Sequence, residues 1–279
     1  MYADDTEIDF ASKTPCELQN ALNEDLAHLQ NYFMDNKLSL NTTKCEYLLI
    51  GTPQNLEKFS AIAIKIGDDK LQRVNCTKYL GMQIESSLRW STHIDKMASK
   101  IASKIGILRK LKRTIPHDTL LQVYNSMVSP HFDYGDIVYD SCTQEKCNKL
   151  QSLQNRAVRL LTGSGPREHR DTMFKKLNWM TLKNRRIEHK CVLLYKSLHN
   201  MAPQYLTNQF HSNSQCHAYN TRNSRKLRVD KVKTAYYSRS FRISAVKLYN
   251  DLPENISQAD TLETFKSQIH NHFLNKVQF

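Results

Sequence analysis

The sequence predicts an α+β protein that is mostly α: a small, incomplete sheet with one helix over residues 1–90, then helices to the C-terminus. Three observations carry this. Gly and Pro number only seven each in 279 residues, too few for the turns of a β-rich chain. Alternation with a period of two is confined to the first ninety or so residues, whereas beyond Trp90 apolar residues recur at helical spacing. Charge divides the same way: residues 1–100 hold 11 basic against 14 acidic side chains, and residues 101–279 hold 29 against 13.

A hydrophobic content of 40% is enough for a packed core and excludes a disordered chain. A basic excess confined to one part of the chain suggests a face turned toward a polyanion, with a merely solvated basic surface as the plain alternative. The seven cysteines (16, 45, 76, 142, 147, 191 and 216) are odd in number and irregular in spacing, which predicts free thiols in a reducing compartment. Cys142 and Cys147 are not followed by a Cys/His pair at finger spacing, so zinc is not expected. No apolar run approaches the length of a membrane helix and no targeting peptide is visible, so the expected location is intracellular, in nucleus or cytoplasm.

Taken in order, residues 6–10 alternate as a half-buried strand does. Thr14-Pro15-Cys16-Glu17 supplies a cap, a first-position proline and a capping-box glutamate. Leu18, Leu22, Leu26, Leu29 and Phe33 then form one stripe, predicting a helix over 15–35. Cys45–Ile50 is a strand candidate. Ala61–Ile66 and Lys70–Val74 flank Gly67-Asp68-Asp69 as a hairpin, and Lys78–Ile84 reads as another short strand. Ser91 or Thr92 can cap a helix whose apolar face runs Ile94, Met97, Ile101, Ile105, Leu108 and Leu111. Further helices are predicted over 117–129, 144–162, 170–177, 181–200, 236–250 and 261–275, the last capped by Thr261. Residues 211–234 lack apolar periodicity and read as a loop or flexible arm. Trp90 and Trp179 are assigned to cores.

The residues with chemistry come first in the chain. Tyr2-Ala3-Asp4-Asp5-Thr6 places two carboxylates at what reads as a strand turn, and hard divalent cations take oxygen ligands. An amphipathic helix follows, then Leu38-Ser39-Leu40-Asn41-Thr42-Thr43-Lys44-Cys45 and an apolar strand. Lys78-Tyr79-Leu80-Gly81-Met82-Gln83-Ile84 comes next, and Leu88-Arg89-Trp90-Ser91-Thr92-His93-Ile94 leads into the helices. This series resembles the reverse transcriptases of non-LTR retrotransposons of the jockey/LINE type: the catalytic turn (motif C), motif D, the primer-gripping hairpin and the step into the thumb. Where that family often has Asp, Glu85 stands here. The resemblance continues through Pro130-His131-Phe132-Asp133-Tyr134-Gly135, Leu153–Gly163, Thr221-Arg222-Asn223-Ser224 and Leu248–Pro253.

The resemblance implies an RNA-directed DNA polymerase lineage: the end of a palm over 1–90, thumb-like helices over 91–130 and a basic helical region over 131–279. It makes Asp4 a ligand of Mg2+ or Mn2+, with Asp5 as its acidic neighbour. Lys44 becomes a general acid toward the leaving pyrophosphate, and Tyr79, Leu80 and Gly81 position the primer end. Lys100, Lys104, Arg109, Lys110, Lys112 and Arg113 would track the backbone of an RNA/DNA template–primer. Arg156, Arg159, Lys183, Arg185, Arg186, Arg222, Arg225, Lys226 and Arg228 extend the basic character. The family's palm brings a further Asp from a strand before the catalytic turn, and its fingers hold the nucleotide. Neither lies within residues 1–279, so the expectation for this chain alone is an inactive fragment truncated just before the Tyr-Ala-Asp-Asp motif, with no stably held metal. The alternative is a non-enzymatic basic nucleic-acid-binding helical module derived from such an element.

Overall fold

A computed structural model describes residues 6–165, 167–216 and 226–275. They form two compact units, residues 1–93 and 94–279.

In the first unit the apolar stripe folds as read, and α1 spans Pro15–Asp35. Its start differs from the expected capping box. The Thr14 side chain caps nothing. Instead, the Thr14 amide donates to Ser12 Oγ at 3.1 Å, and the Ser12 hydroxyl donates to Glu17 Oε2 at 2.6 Å. Leu18, Leu22 and Leu26 pack on Leu49, Ile62, Ile64, Ile66 and Leu71. Residues 6–10 form no strand: they are exposed apart from a half-buried Ile8, and no ladder pairs them among the described residues.

The strand candidates shorten to β1 (Glu46–Leu48), β2 (Lys65–Ile66), β3 (Asp69–Lys70) and β4 (Gln72–Val74). β2 and β3 are the expected hairpin, with Ile66 opposite Asp69. β4 leaves it to pair in parallel with β1. A short helix, α2 (Pro53–Lys58), lies between β1 and β2, its first turn capped by Thr52 Oγ1 accepting from the Asn55 amide at 3.3 Å. Six residues are too few to show a helical period, so the sequence signal there was the Thr-Pro cap alone. The stretch whose alternation reads as one strand over 78–84 is a hairpin, as the resemblance implied: β5 (Cys76–Tyr79) with β6 (Met82–Glu85), folded about Leu80-Gly81.

Helix α3 spans Ser91–Leu111. Ile94, Met97, Ile101, Ile105 and Leu108 are all buried, as the stripe predicted. There follow α4 (His117–Met127), α5 (Ser129–Asp133), α6 (Asp136–Tyr139), α7 (Gln144–Thr162), α8 (Arg170–Leu177) and α9 (Leu182–Leu198). The C-terminal part holds α10 (Gln204–Thr207), α11 (Asn213–Cys216), α12 (Ala235–Arg239), α13 (Phe241–Asn250), α14 (Glu254–Ser257) and α15 (Leu262–Asn275). The predicted helix over 236–250 is broken at Ser240, whose backbone is extended (ψ 155°) and whose hydroxyl donates to the Tyr237 carbonyl at 2.7 Å. A serine bonded to its own backbone competes with helix continuation. Thr261 caps α15 as expected, accepting from the Thr264 amide at 3.2 Å.

α9 is the axis of this unit. Leu194 and Tyr195 on it meet Ala245 and Val246 of α13 and Phe265 and Ile269 of α15. Tyr195 stacks on Phe265 at 4.4 Å and donates its hydroxyl to the Ala259 carbonyl at 2.7 Å, so its one polar atom is satisfied inside the core. Trp90 is buried and Trp179 stacks on Tyr124 at 4.5 Å, consistent with their assignment to cores. Among the described residues no helix is long and apolar enough to cross a membrane.

Candidate nucleic-acid interface and a buried ionic cluster

Asp4 and Asp5 lie outside the described residues. The Asn41-Thr42-Thr43-Lys44 segment forms a single 3-10 turn. The Lys44 amide donates to the Asn41 carbonyl at 3.1 Å, and the Thr43 hydroxyl donates to Asn41 Oδ1 at 2.6 Å. That turn leaves Lys44 exposed directly before β1. At the β5–β6 tip, Leu80 (φ +44°) and Gly81 (φ +81°) both have positive φ, the signature of a type I′ turn. Gly81 adopts this freely, but a left-handed leucine costs roughly 1–2 kcal/mol. Leu80 is exposed and Tyr79 half-buried, so the three residues share one hairpin tip that offers apolar surface to solvent.

The start of α3 is capped from the hairpin rather than by Ser91 or Thr92. Glu85, at the end of β6 and nearly buried, accepts from the Thr92 amide at 2.5 Å and the Ser91 amide at 3.3 Å. A carboxylate on two amides at a helix N-terminus satisfies orphan donors and opposes the helix dipole. Glu85→Gln is expected to lower stability by about 1–2 kcal/mol, read from the urea midpoint, because shape is kept and the charge is lost. A midpoint unchanged on substitution would remove the capping role.

The six basic residues proposed on and after α3 do not behave alike. Lys100, Arg109, Lys110, Lys112 and Arg113 are exposed, and Lys104 is half-buried. The Lys104 ammonium donates to the Met127 carbonyl at 3.0 Å and that of Lys112 to the Leu160 carbonyl at 2.6 Å, tying α3 to the ends of α4 and α7. Near them, partial burial and then the charges of Lys104 and Lys100 hold the His131 imidazole below its usual range, which marks a positive local field. On α7, Lys146 and Lys149 both pair with Asp95 at 3.1 and 2.6 Å, whereas Arg156 is exposed.

Arg185 and Arg186, grouped with the basic surface on sequence alone, instead belong to an ionic cluster between α5–α6 and α9. Arg185 pairs with Asp133 at 2.5 Å, Arg186 with Asp140 at 3.3 Å, His189 with Asp136 at 2.6 Å and Lys190 with Asp140 at 2.5 Å. Arg186, Lys190 and Asp136 are buried. Spacing explains the array: Asp133, Asp136 and Asp140 recur every three to four residues along α5–α6, facing Arg185, Arg186, His189 and Lys190 on α9. That complementarity was present in the sequence, but which two short segments would face each other was not.

Asp133, Asp136 and His189 bring ligand atoms within 4.8 Å of one another. Arg185 already occupies the Asp133 carboxylate, and His189 is hydrogen-bonded to Asp136, so the trio is neutralised by its own cation and hydrogen bond rather than arranged for a metal. Burial raises the Asp133 carboxyl above its ordinary range and outweighs the neighbouring Arg185, which follows when desolvation exceeds the pairing energy. The Asp136 hydrogen bond raises His189 above the usual imidazole value. Its contribution to stability is therefore complete below the unfolded value, about 6.5, and is lost as pH rises through the higher folded value. Wild type should exceed His189→Gln in denaturation midpoint at pH 5.5, and the gap should close toward pH 9. A gap that is flat or widens with pH excludes this linkage.

No family model and no solved structure matches the chain. It is similar to the RNA-directed DNA polymerase from mobile element jockey of Drosophila melanogaster, 23% identical over 166 residues, which are 58% of this chain and 18% of the relative. The jockey polymerase of Drosophila funebris is 25% identical over 170 residues, with the same shares. The probable RNA-directed DNA polymerase from transposon BS of Drosophila melanogaster is 25% identical over 193 residues, 67% of this chain and 21% of that protein. The chain thus spans about a fifth of the length of these curated relatives. More than half of it is a region related to RNA-directed DNA polymerases of mobile elements.

Proposed function

We propose that this chain is the C-terminal part of a non-LTR retrotransposon reverse transcriptase, and that its work is to grip an RNA/DNA template–primer. In this reading residues 1–90 are the end of the palm, 91–130 thumb-like helices and 131–279 a basic helical region. The observation that carries it is the collinear run of motifs, supported by similarity to mobile-element polymerases over more than half the chain. The exposed Lys100, Arg109, Lys110 and Arg113 supply cations at the thumb position, and the Leu80–Gly81 tip supplies an apolar end for a primer terminus. Lys44, exposed on its turn, serves as proton donor to pyrophosphate. In the full-length family Mg2+ or Mn2+ at the positions of Asp4 and Asp5 would stabilise charge on the triphosphate, and this chain alone is not proposed to hold the ion stably.

Residues 1–279 assayed alone are proposed to bind a template–primer without extending it. Fluorescence anisotropy with a labelled RNA–DNA hybrid tests the grip: affinity should fall steeply with salt. Salt-insensitive binding refutes the basic interface, and primer extension by this chain alone refutes inertness. A helical module that binds nucleic acid without any preference for a recessed primer end would favour the non-enzymatic alternative.

A further inference from the structure

We propose that Cys142 and Cys147 form a dithiol site that is oxidised by peroxides to an intramolecular disulfide and reopened by small-molecule thiols. Cys142 lies in the connection after α6, its amide bonded to the Tyr139 carbonyl at 3.0 Å, and Cys147 lies in the first turn of α7. Their sulfurs stand 3.4 Å apart. A disulfide needs about 2.0 Å, a closure of little more than an ångström, and the Cys142 side lies outside any helix and can move to provide it. Arg186 directs Nη1 at Cys147 Sγ from 3.6 Å while its Nε faces Asp140, so a buried guanidinium is held against this one sulfur. The N-terminal turn of α7 adds the positive end of a helix dipole.

The two thiols are unlike each other. Cys147, half-buried, is the one an oxidant reaches, and Cys142 is buried behind it. The hydrogen bond from the Cys142 thiol, then the Arg186 charge, holds the Cys147 thiol below its ordinary range, and the same bond together with burial pushes Cys142 up. One proton therefore leaves the pair early and the other late. Cys191 marks the contrast: it is wholly buried, and burial, only partly offset by the charge of Lys190, pushes it up to about 12.

The chemistry balances in two steps. The Cys147 thiolate attacks one peroxide oxygen, the O–O bond breaks, and hydroxide leaves as water after protonation, giving Cys147 sulfenic acid. Cys142 sulfur then attacks the sulfenic sulfur, the S–O bond breaks, and a second water departs with the Cys142 proton. Two thiols have given two electrons to one peroxide. Two equivalents of a monothiol such as glutathione return the electrons and are oxidised to their own disulfide.

The test uses the whole chain in stoichiometric hydrogen peroxide, quenched by an alkylating agent and read by peptide mass spectrometry. A Cys142–Cys147 cross-link, reversed by glutathione, is the expected product. In Cys142→Ser, which lacks the resolving thiol, sulfenic acid should accumulate at Cys147 and be captured by dimedone. Alkylation of wild-type Cys147 should reach half-maximal rate at a pH below the ordinary thiol value of about 8.5. If Cys142 and Cys147 stay reduced while the exposed Cys16 oxidises, or if Cys147 follows an ordinary thiol's pH profile, the proposal is wrong.

Discussion

Asp140→Ala is expected to cost about 3–5 kcal/mol, enough to unfold the second compact unit of a marginally stable protein. The reason lies in who depends on this carboxylate. Lys190 Nζ sits 2.5 Å from Oδ2 and Arg186 Nε 3.3 Å from Oδ1, and both cations are buried while Asp140 itself is partly exposed. Without it, Lys190 keeps Ser244 Oγ at 2.9 Å, and Arg186 keeps the Leu182 carbonyl at 3.3 Å and the Cys147 sulfur. Ser244 and the Leu182 carbonyl carry no charge, and the Cys147 sulfur can serve Arg186 alone, so the buried Lys190 is the cation left without its counter-charge. Asp140→Asn should cost nearly as much, because the loss is of charge and not of shape. Substituting all three members, as Asp140→Leu, Arg186→Met and Lys190→Leu, should recover most of the loss, since an apolar replacement of a buried ionic group is often neutral or stabilising by about 1–4 kcal/mol. Urea denaturation followed by Trp179 emission in a Trp90→Phe background reads the second unit alone. A single Asp140→Ala variant as stable as wild type would mean that water reaches the cluster and screens it.

That cluster also shows where sequence reading stops. Long periodic elements were legible: α1, α7 and α8 begin and end as their apolar stripes predicted, because a helix of several turns repeats its signal. The strands were legible only as places, since β1 through β6 are two to four residues long and pairing decides their ends. Arg185 and Arg186 look on sequence like any other basic pair near a polyanion face. Their pairing, and the burial of Arg186, depend on α5–α6 meeting α9, some fifty residues away, and no local period encodes that. Glu85 is a similar case. It reads as a departure at one position of a familiar motif, yet its carboxylate closes the N-terminus of α3 across a turn. At Leu80 the strand pattern ran straight through a turn: Gly81 supplies one of the two turn residues, but the leucine before it, at φ +44°, is not the Asn, Asp or Gly that normally completes a type I′ pair.

Replacing Lys100, Arg109, Lys110 and Arg113 together by alanine is expected to weaken hybrid binding at 0.1 M salt by roughly three orders of magnitude and to reduce the slope of log K against log salt by about 3–4. Each cation that neutralises a phosphate releases counterions worth about 0.9 in that slope. Along α3, at about 100° per residue, Lys100 and Lys110 project away from the buried Ile101–Ile105–Leu108 side, and Arg109 and Arg113 are exposed near its end. None of the four is needed to hold the helix in place, and exposed substitutions of this kind change stability by only about 0.5 kcal/mol either way. Lys104 and Lys112 form the internal control. Each ammonium gives a hydrogen bond to a neutral carbonyl and keeps its charge, so Lys104→Met and Lys112→Met should lower the denaturation midpoint and each reduce the salt slope by at most about 0.9. The two sets together separate a polyanion-binding face from a generally basic one. A quadruple variant with wild-type slope would show that α3 touches no phosphate, and the thumb assignment would fail with it.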